Sequence, residues 1–227
     1  MAAQKKMNLT KKNIIHLGTK MFLEKGYTDT TTRQLCDALG ISPGNLTFHF
    51  KTKEHLLAVL TKMLCDHQWL VMERSVDEGK TSLMAQCLEL TAMAAICEEN
   101  EKAKDLYLSM YTHPMTLDII RRNDAEKARQ VFGSYCPDWT DINYCEAETI
   151  VSGIEFSTLL TTENSAPLHV RIAGALGAMM MIYNVPADVR RMKMDKVLAM
   201  DYRAIGRQIL NEFIEYIENA NEASYSL

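Results

Sequence analysis

Between Lys11 and Leu57 the chain carries two glycine stops, a capping box and a Ser-Pro helix start in one short stretch, a punctuation that permits only brief helices joined by sharp turns. Ile14, Leu17, Gly18, Met21 and Phe22 fall at the i, i+3, i+4, i+7, i+8 positions of an amphipathic helix. Gly26 ends it, as a left-handed C-terminal cap does. Thr31 opens a second helix, its hydroxyl capping free amides while Gln34, three residues on, reaches back. Leu35 and Leu39 form its buried stripe. Gly40 supplies the positive φ of a tight turn, Ile41 drops into the small core, and Ser42 and Pro43 start a third helix as N-cap and first helical residue.

A turn of this length between two short helices sets the second at the angle that enters a DNA major groove. The segment from Pro43 to about His49 is therefore the expected recognition helix. Leu46 and Phe50, four apart, face inward, which leaves Gly44, Asn45, Thr47, Phe48 and His49 on or near the outer side. Asn pairs with an adenine edge, and a Thr methyl or Phe ring touches a thymine methyl. Lys51 and Lys53 stand at the entrance of a fourth helix, where amides and dipole already attract a phosphate. The expected DNA-facing set is Thr31, Thr32, Arg33, Ser42, Pro43, Gly44, Asn45, Thr47, Phe48, His49, Lys51 and Lys53, with a double-stranded DNA operator as partner.

Charge points the same way. Residues 1–65 hold ten Lys/Arg against four Asp/Glu, whereas residues 66–227 hold fifteen against twenty-five, within a chain of net charge −4. A basic end joined to an acidic remainder is the footprint of a nucleic-acid reader attached to a domain with another task. The alternative use of such a segment is plain packing or protein contact. No GxSxG elbow, phosphate loop, HExxH or GxGxxG occurs, so enzyme chemistry is not expected.

Residues of about 10–57 resemble the DNA-binding domain of the tetracycline-repressor-like (TetR/AcrR) family of bacterial transcription regulators. The resemblance lies in Phe22, Gly26 and Tyr27, in Thr31, in Gly40-Ile41-Ser42, in Leu46, and in His49-Phe50-Lys51 followed by Lys53-Glu54 and Leu56-Leu57. Family members usually carry Tyr directly after the position of Leu46; this chain has Thr47 there and an aromatic, Phe48, one place later. The resemblance implies an all-α fold: an N-terminal three-helix helix-turn-helix domain, joined by a long helix to an all-helical domain that dimerises and encloses a small molecule. It also implies a repressor that binds a palindromic operator as a homodimer and is released by a small hydrophobic inducer. A constitutive or nucleoid-associated DNA-binding protein of the same fold is the alternative.

The expected division is 1–52 for the reader and 53–227 for the helical domain. Helices are expected over 53–76, 82–99, 101–111, 115–132, 143–162, 168–183, 187–200 and 202–220, with Pro- or Gly-bearing breaks at 77–79, 113–114, 136–138, 165–167 and 185–186. The candidate ligand-binding residues are Trp69, Met72, Tyr107, Met110, Tyr111, Phe132, Tyr144 and Glu148, large side chains with polar tips, although such stripes equally serve as core. Glu148, Glu155 and His169 interrupt apolar stretches and fit a pocket or a solvated face. For the dimer, 143–162 and the small, apolar 168–183 are the first choice, and 202–220 the second. Six scattered cysteines without CxxC spacing read as reduced and structural, and no metal or cofactor is expected. The longest apolar run, 172–183, is short of the roughly 20 residues of a membrane span, so the expectation is a cytoplasmic protein without a membrane partner.

Overall fold

The computed structural model describes residues 2–75, 82–220 and 225, with side chains from residue 10 onward except those of 69 and 72–75. Among these residues the secondary structure is helical: α1 Ala2–Lys25, α2 Thr32–Leu39, α3 Pro43–His49, α4 Lys53–Ser75, α5 Leu83–Glu99 and α6 Glu101–Thr112. There follow α7 Pro114–Phe132, α8 Asp141–Leu159, α9 Leu168–Ile182, α10 Ala187–Leu198 and α11 Tyr202–Asn219. The expected breaks after α5 fall where Gly, Pro and capping residues stand, the one at 77–79 lies outside the described residues, and α1 extends well upstream of the expected start.

Local chemistry accounts for the reader. Gly26 at φ +99 and Gly40 at φ +63 occupy the left-handed region that terminates α1 and α2. Thr31 accepts from the Gln34 amide while the Gln34 side chain accepts from the Thr31 amide, a complete capping box. Ser42 caps α3 by accepting from the Asn45 amide, ahead of Pro43 at the first turn. Ile14, Phe22, Leu35, Leu46, Phe50 and Leu57 are buried and hold the three helices together.

Behind the reader, α5 is the central helix: every residue from Leu83 to Cys97 is buried. It is packed by α4, α6, α9, α10 and α11. The interface stripe expected on 202–220 is instead interior, with Ile209, Phe213 and Ile217 buried along α5, α4 and α1. That correction has a simple cause: α11 supplies the apolar wall that α5, greasy on every side, needs. Conversely, α9 is not buried all round. Val170 and Met181 on α9, with Ile142 and Ile150 on α8, are exposed. Five cysteines are buried, Cys145 is exposed, and all six are free thiols. No described helix is long and apolar enough to cross a membrane.

Candidate nucleic-acid interface and inner cavity

The outer face of α2 and α3 carries polar side chains with few internal obligations. Thr32, Arg33, Pro43, Gly44, Asn45, Thr47 and Lys51 are exposed, and Phe48 is 70% exposed with its ring edge-on to His49 at 5.1 Å. Arg33 reaches only Asp37, at 3.9 Å, an i,i+4 pair that leaves its guanidinium in solvent. Thr31 and Ser42, also in the expected set, spend their hydroxyls on helix caps. The Thr47 hydroxyl turns back to the carbonyls of Pro43 and Gly44, at 3.1 and 3.2 Å, which leaves its methyl outward. His49 is half-buried; burial and then the charge of Lys11 lower its proton affinity.

Lys53 is placed differently from the other expected phosphate contacts. Its ammonium donates to the carbonyls of Tyr27 and Thr30, each at 2.9 Å, and lies 4.0 Å from the centre of the Tyr27 ring. It ties the loop between α1 and α2 to the start of α4. Burial lowers its proton affinity, while Glu54 and Asp105 act against that. The Tyr27 hydroxyl in turn donates to Glu54 at 3.3 Å.

A narrow cavity of about 30 Å³ lies between α4, α5, α6, α7 and α8. Tyr107, Met110 and Tyr111, three of the expected ligand residues, line it from α6. Leu64, Cys65 and Gln68 line it from α4, so the helix that emerges from the reader forms one wall. The remaining walls bring Glu89, Asp124 and Glu155 together. Buried Lys127 pairs with Glu89 at 3.1 Å and with Asp124 at 3.7 Å, and Glu155 accepts from the Tyr111 hydroxyl at 3.0 Å. Burial, followed by the charge of neighbouring Asp124, holds Glu155 well above the usual carboxylate range. Burial also lifts Asp124 to about 6 against the pull of Lys127. Burial works against the Lys127 charge, but Glu89 and Asp124 outweigh it and keep the ammonium protonated.

Phe132, Tyr144 and Glu148 are not on this cavity. They form a packed cluster around Tyr183, which stacks on Phe132 at 4.1 Å and donates its hydroxyl to Glu148. Trp139 closes the cluster, 5.3 Å from Tyr144 and 5.6 Å from Tyr183. Burial raises Glu148 to about 8. The side chains of Trp69 and Met72 lie outside the described residues, and His169 is exposed. Among the described residues no three His, Cys, Asp or Glu side chains are grouped so as to hold a metal ion.

Sequence reasoning missed Glu89 and Asp124, because a lone acid in a helix reads as a solvated position. It also missed Asp105 on α6, which accepts from the Thr28 amide and hydroxyl in the reader. The one available signal was Glu89 standing inside the apolar run from Leu83 to Cys97.

The profile described as "Bacterial regulatory proteins, tetR family" matches residues 14–60, which are α1 to the first turns of α4. Over 51 residues the chain is 41% identical to the uncharacterized HTH-type transcriptional regulator YerO of Bacillus subtilis (strain 168), a segment covering 22% of this chain and 18% of YerO. Over 50 residues it is 44% identical to the HTH-type transcriptional regulator QacR of Staphylococcus aureus (strain Mu50), covering 22% of this chain and 26% of QacR. The matched segment thus spans about a fifth to a quarter of either relative. The fold as a whole is similar to that of full-length TylP, a TetR regulator from Streptomyces fradiae, with a TM-score of 0.51, 19% identity, and coverage of 94% of this chain and 99% of that one. Residues 14–60, the helix-turn-helix segment, thus match the tetR family of bacterial regulatory proteins.

Proposed function

We propose that the protein is a DNA-binding transcriptional repressor that acts as a homodimer on a palindromic operator and is released by a small, largely apolar ligand. The observation that carries this reading is the outer face of α2 and α3. Arg33, Asn45, Thr47, Phe48 and Lys51 are presented there on a helix-turn-helix frame whose packing they do not serve. Arg33 and Lys51 provide phosphate contacts, Asn45 and Phe48 the base contacts, and Lys53 acts by holding the frame rigid.

Dimer formation rests on the α8–α9 face. Ile142, Ile150, Val170 and Met181 are exposed there, and Gly153 and Gly174 have open space where a side chain would begin. A patch of this kind on one face is suited to an identical patch from a second copy, because a two-fold interface is self-complementary. The cavity supplies the ligand site, and its α4 wall gives a bound molecule leverage on the reader. A ligand that favours one setting of α4 weakens DNA binding by the factor by which DNA weakens the ligand. The narrowness of the cavity supports a second reading, a constitutive DNA-binding regulator that answers to no ligand.

Selection of bound fragments from random DNA tests the main reading. The expected product is an inverted repeat whose half-sites lie about one helical turn, roughly 34 Å, apart or in a simple variant of that spacing. Recovery of no inverted repeat overturns it.

A further inference from the structure

We infer that the inner cavity selects an organic cation, a small ammonium compound with an apolar body, whose positive group is seated between Glu89, Asp124 and Glu155. The inference rests on the reading of this cavity as the regulator's ligand site and names the chemistry of what enters it.

Three helices each send a carboxyl group to one small cavity: Glu89 from α5, Asp124 from α7 and Glu155 from α8. Lys127 is the cation drawn in among them, and it pairs with Glu89 and Asp124 while Glu155 receives only a neutral tyrosine hydroxyl. Glu89 and Asp124 thus share one ammonium, while burial keeps the proton on Glu155, so the imbalance lies between the first two acids and Lys127. A second observation singles out the place that is short of a donor. Glu89 is 9% exposed; its Oε1 takes Lys127, and its Oε2 has no hydrogen-bond partner among the described residues. A buried carboxylate oxygen without a donor is costly to maintain, so a ligand N–H or a positive charge is the complement this wall lacks.

An anion would meet three acids, and a neutral alcohol would bring one donor and no charge. A bare metal ion is a poor fit, since these carboxyls are not grouped as metal ligands. An ammonium brings donors and charge together, and the rings of Tyr107 and Tyr111 beside it add attraction for a cation. The rest of the lining joins Thr61, Gln68 and Gln86 to an apolar part made by Leu64, Cys65, Met93, Met110 and Ile120. Met93 and Met110 are unbranched side chains that can shift to widen a slot of about 30 Å³ around a hydrocarbon body. Binding of this kind spreads the cavity against Leu64 on α4.

The test is calorimetric titration of the full chain with 2-phenylethylammonium, benzyltrimethylammonium and putrescine, beside neutral 2-phenylethanol and anionic 3-phenylpropionate. At least one of the cations is expected to saturate one site per chain, with the alcohol about tenfold weaker or more and the carboxylate silent. Glu89→Gln is expected to weaken the bound cation about tenfold or more. If all three cations fail, or if the alcohol binds as tightly as the cations, the inference is overturned on the wild-type protein alone, whatever the fate of the variant. Fluorescence anisotropy with the selected DNA separates this from the reading it rests on. A cation that binds but leaves DNA affinity unchanged upholds the ligand class and overturns release by ligand; DNA release by the alcohol or carboxylate alone does the reverse.

Discussion

Asp105 on α6 holds Thr28 of the reader by two hydrogen bonds, from the backbone amide at 2.8 Å and from the side-chain hydroxyl at 2.5 Å. Lys102, one turn earlier, pairs with Asp29 at 3.6 Å in the same loop. Further along α6 stand Tyr107, Met110 and Tyr111, which line the cavity. One helix thus touches both the cavity and the loop that ends α1.

Asp105→Ala removes a charged acceptor from two donors and should lower stability by about 1–3 kcal/mol. Its larger expected effect is on coupling. The ratio of DNA affinities with and without ligand should shrink, while affinity for DNA alone changes little. Anisotropy titrations at saturating and zero ligand measure the ratio, and an unchanged ratio would show that α6 does not carry the signal.

Phe48 and Leu46 lie two residues apart on α3 with opposite surroundings: one is 70% exposed, the other buried. Phe48→Ala should leave thermal stability within about 0.5 kcal/mol of wild type and weaken specific DNA binding. Leu46→Ala should cost roughly 2–5 kcal/mol of stability. Scanning calorimetry with DNA titration on both variants checks the pair, and a marked loss of stability from Phe48→Ala would contradict the assignment of that ring to DNA.

The two lysines after α3 should behave differently. Lys51 is exposed, so Lys51→Ala should reduce the slope of log affinity against log salt by about 0.9 and leave stability unchanged. Lys53→Ala should lower stability, because the carbonyls of Tyr27 and Thr30 lose their shared donor, and should alter the salt slope less. Titrations at four salt concentrations and melting curves give both quantities for each variant.

Ligand-free protein should lose stability as pH rises through the neutral range. Burial raises Glu148 to about 8, so the folded state holds a proton that the unfolded chain releases near the ordinary glutamate value of about 4.3. That stabilisation is complete below the ordinary value and is lost as pH climbs through about 8, at roughly 1.4 kcal/mol per pKa unit. Glu155, raised in the same sense, adds to the decline, whereas Asp124, raised to about 6, contributes below that pH. Melting temperature should fall between about pH 6 and 8.5, and Glu148→Gln should flatten the fall. A rising melting temperature across that window would be incompatible with buried, proton-holding carboxyls.

Met181→Lys on α9 and Ile150→Glu on α8 place charges on the exposed apolar face without disturbing buried packing. Each should yield a folded monomer by sedimentation, with weakened binding to the palindrome. A variant that sediments as a dimer would move the interface to another surface.

The amino-acid sequence by itself determined the reader, because its signals are local. Thr31 and Gln34 cap one helix, Ser42 and Pro43 start another, and Gly26 and Gly40 provide positive φ, all within a few bonds of the structure they set. The breaks that separate α5 to α11 were legible for the same reason, while the expected one at 77–79 lies outside the described residues. Tertiary packing alone decided what the faces of those helices do. Residues 202–220 present an interface-like stripe in sequence, yet α11 covers α5; Phe132, Tyr144 and Glu148 resemble pocket residues, yet they surround Tyr183 instead. Lys53 carries a charge suited to phosphate, and only the approach of the Tyr27–Thr30 loop shows where its ammonium is spent. Glu89, Asp124 and Glu155 are far apart along the chain and meet only when three helices converge. The energy of that meeting comes from shared burial and mutual charge, which no local pattern encodes.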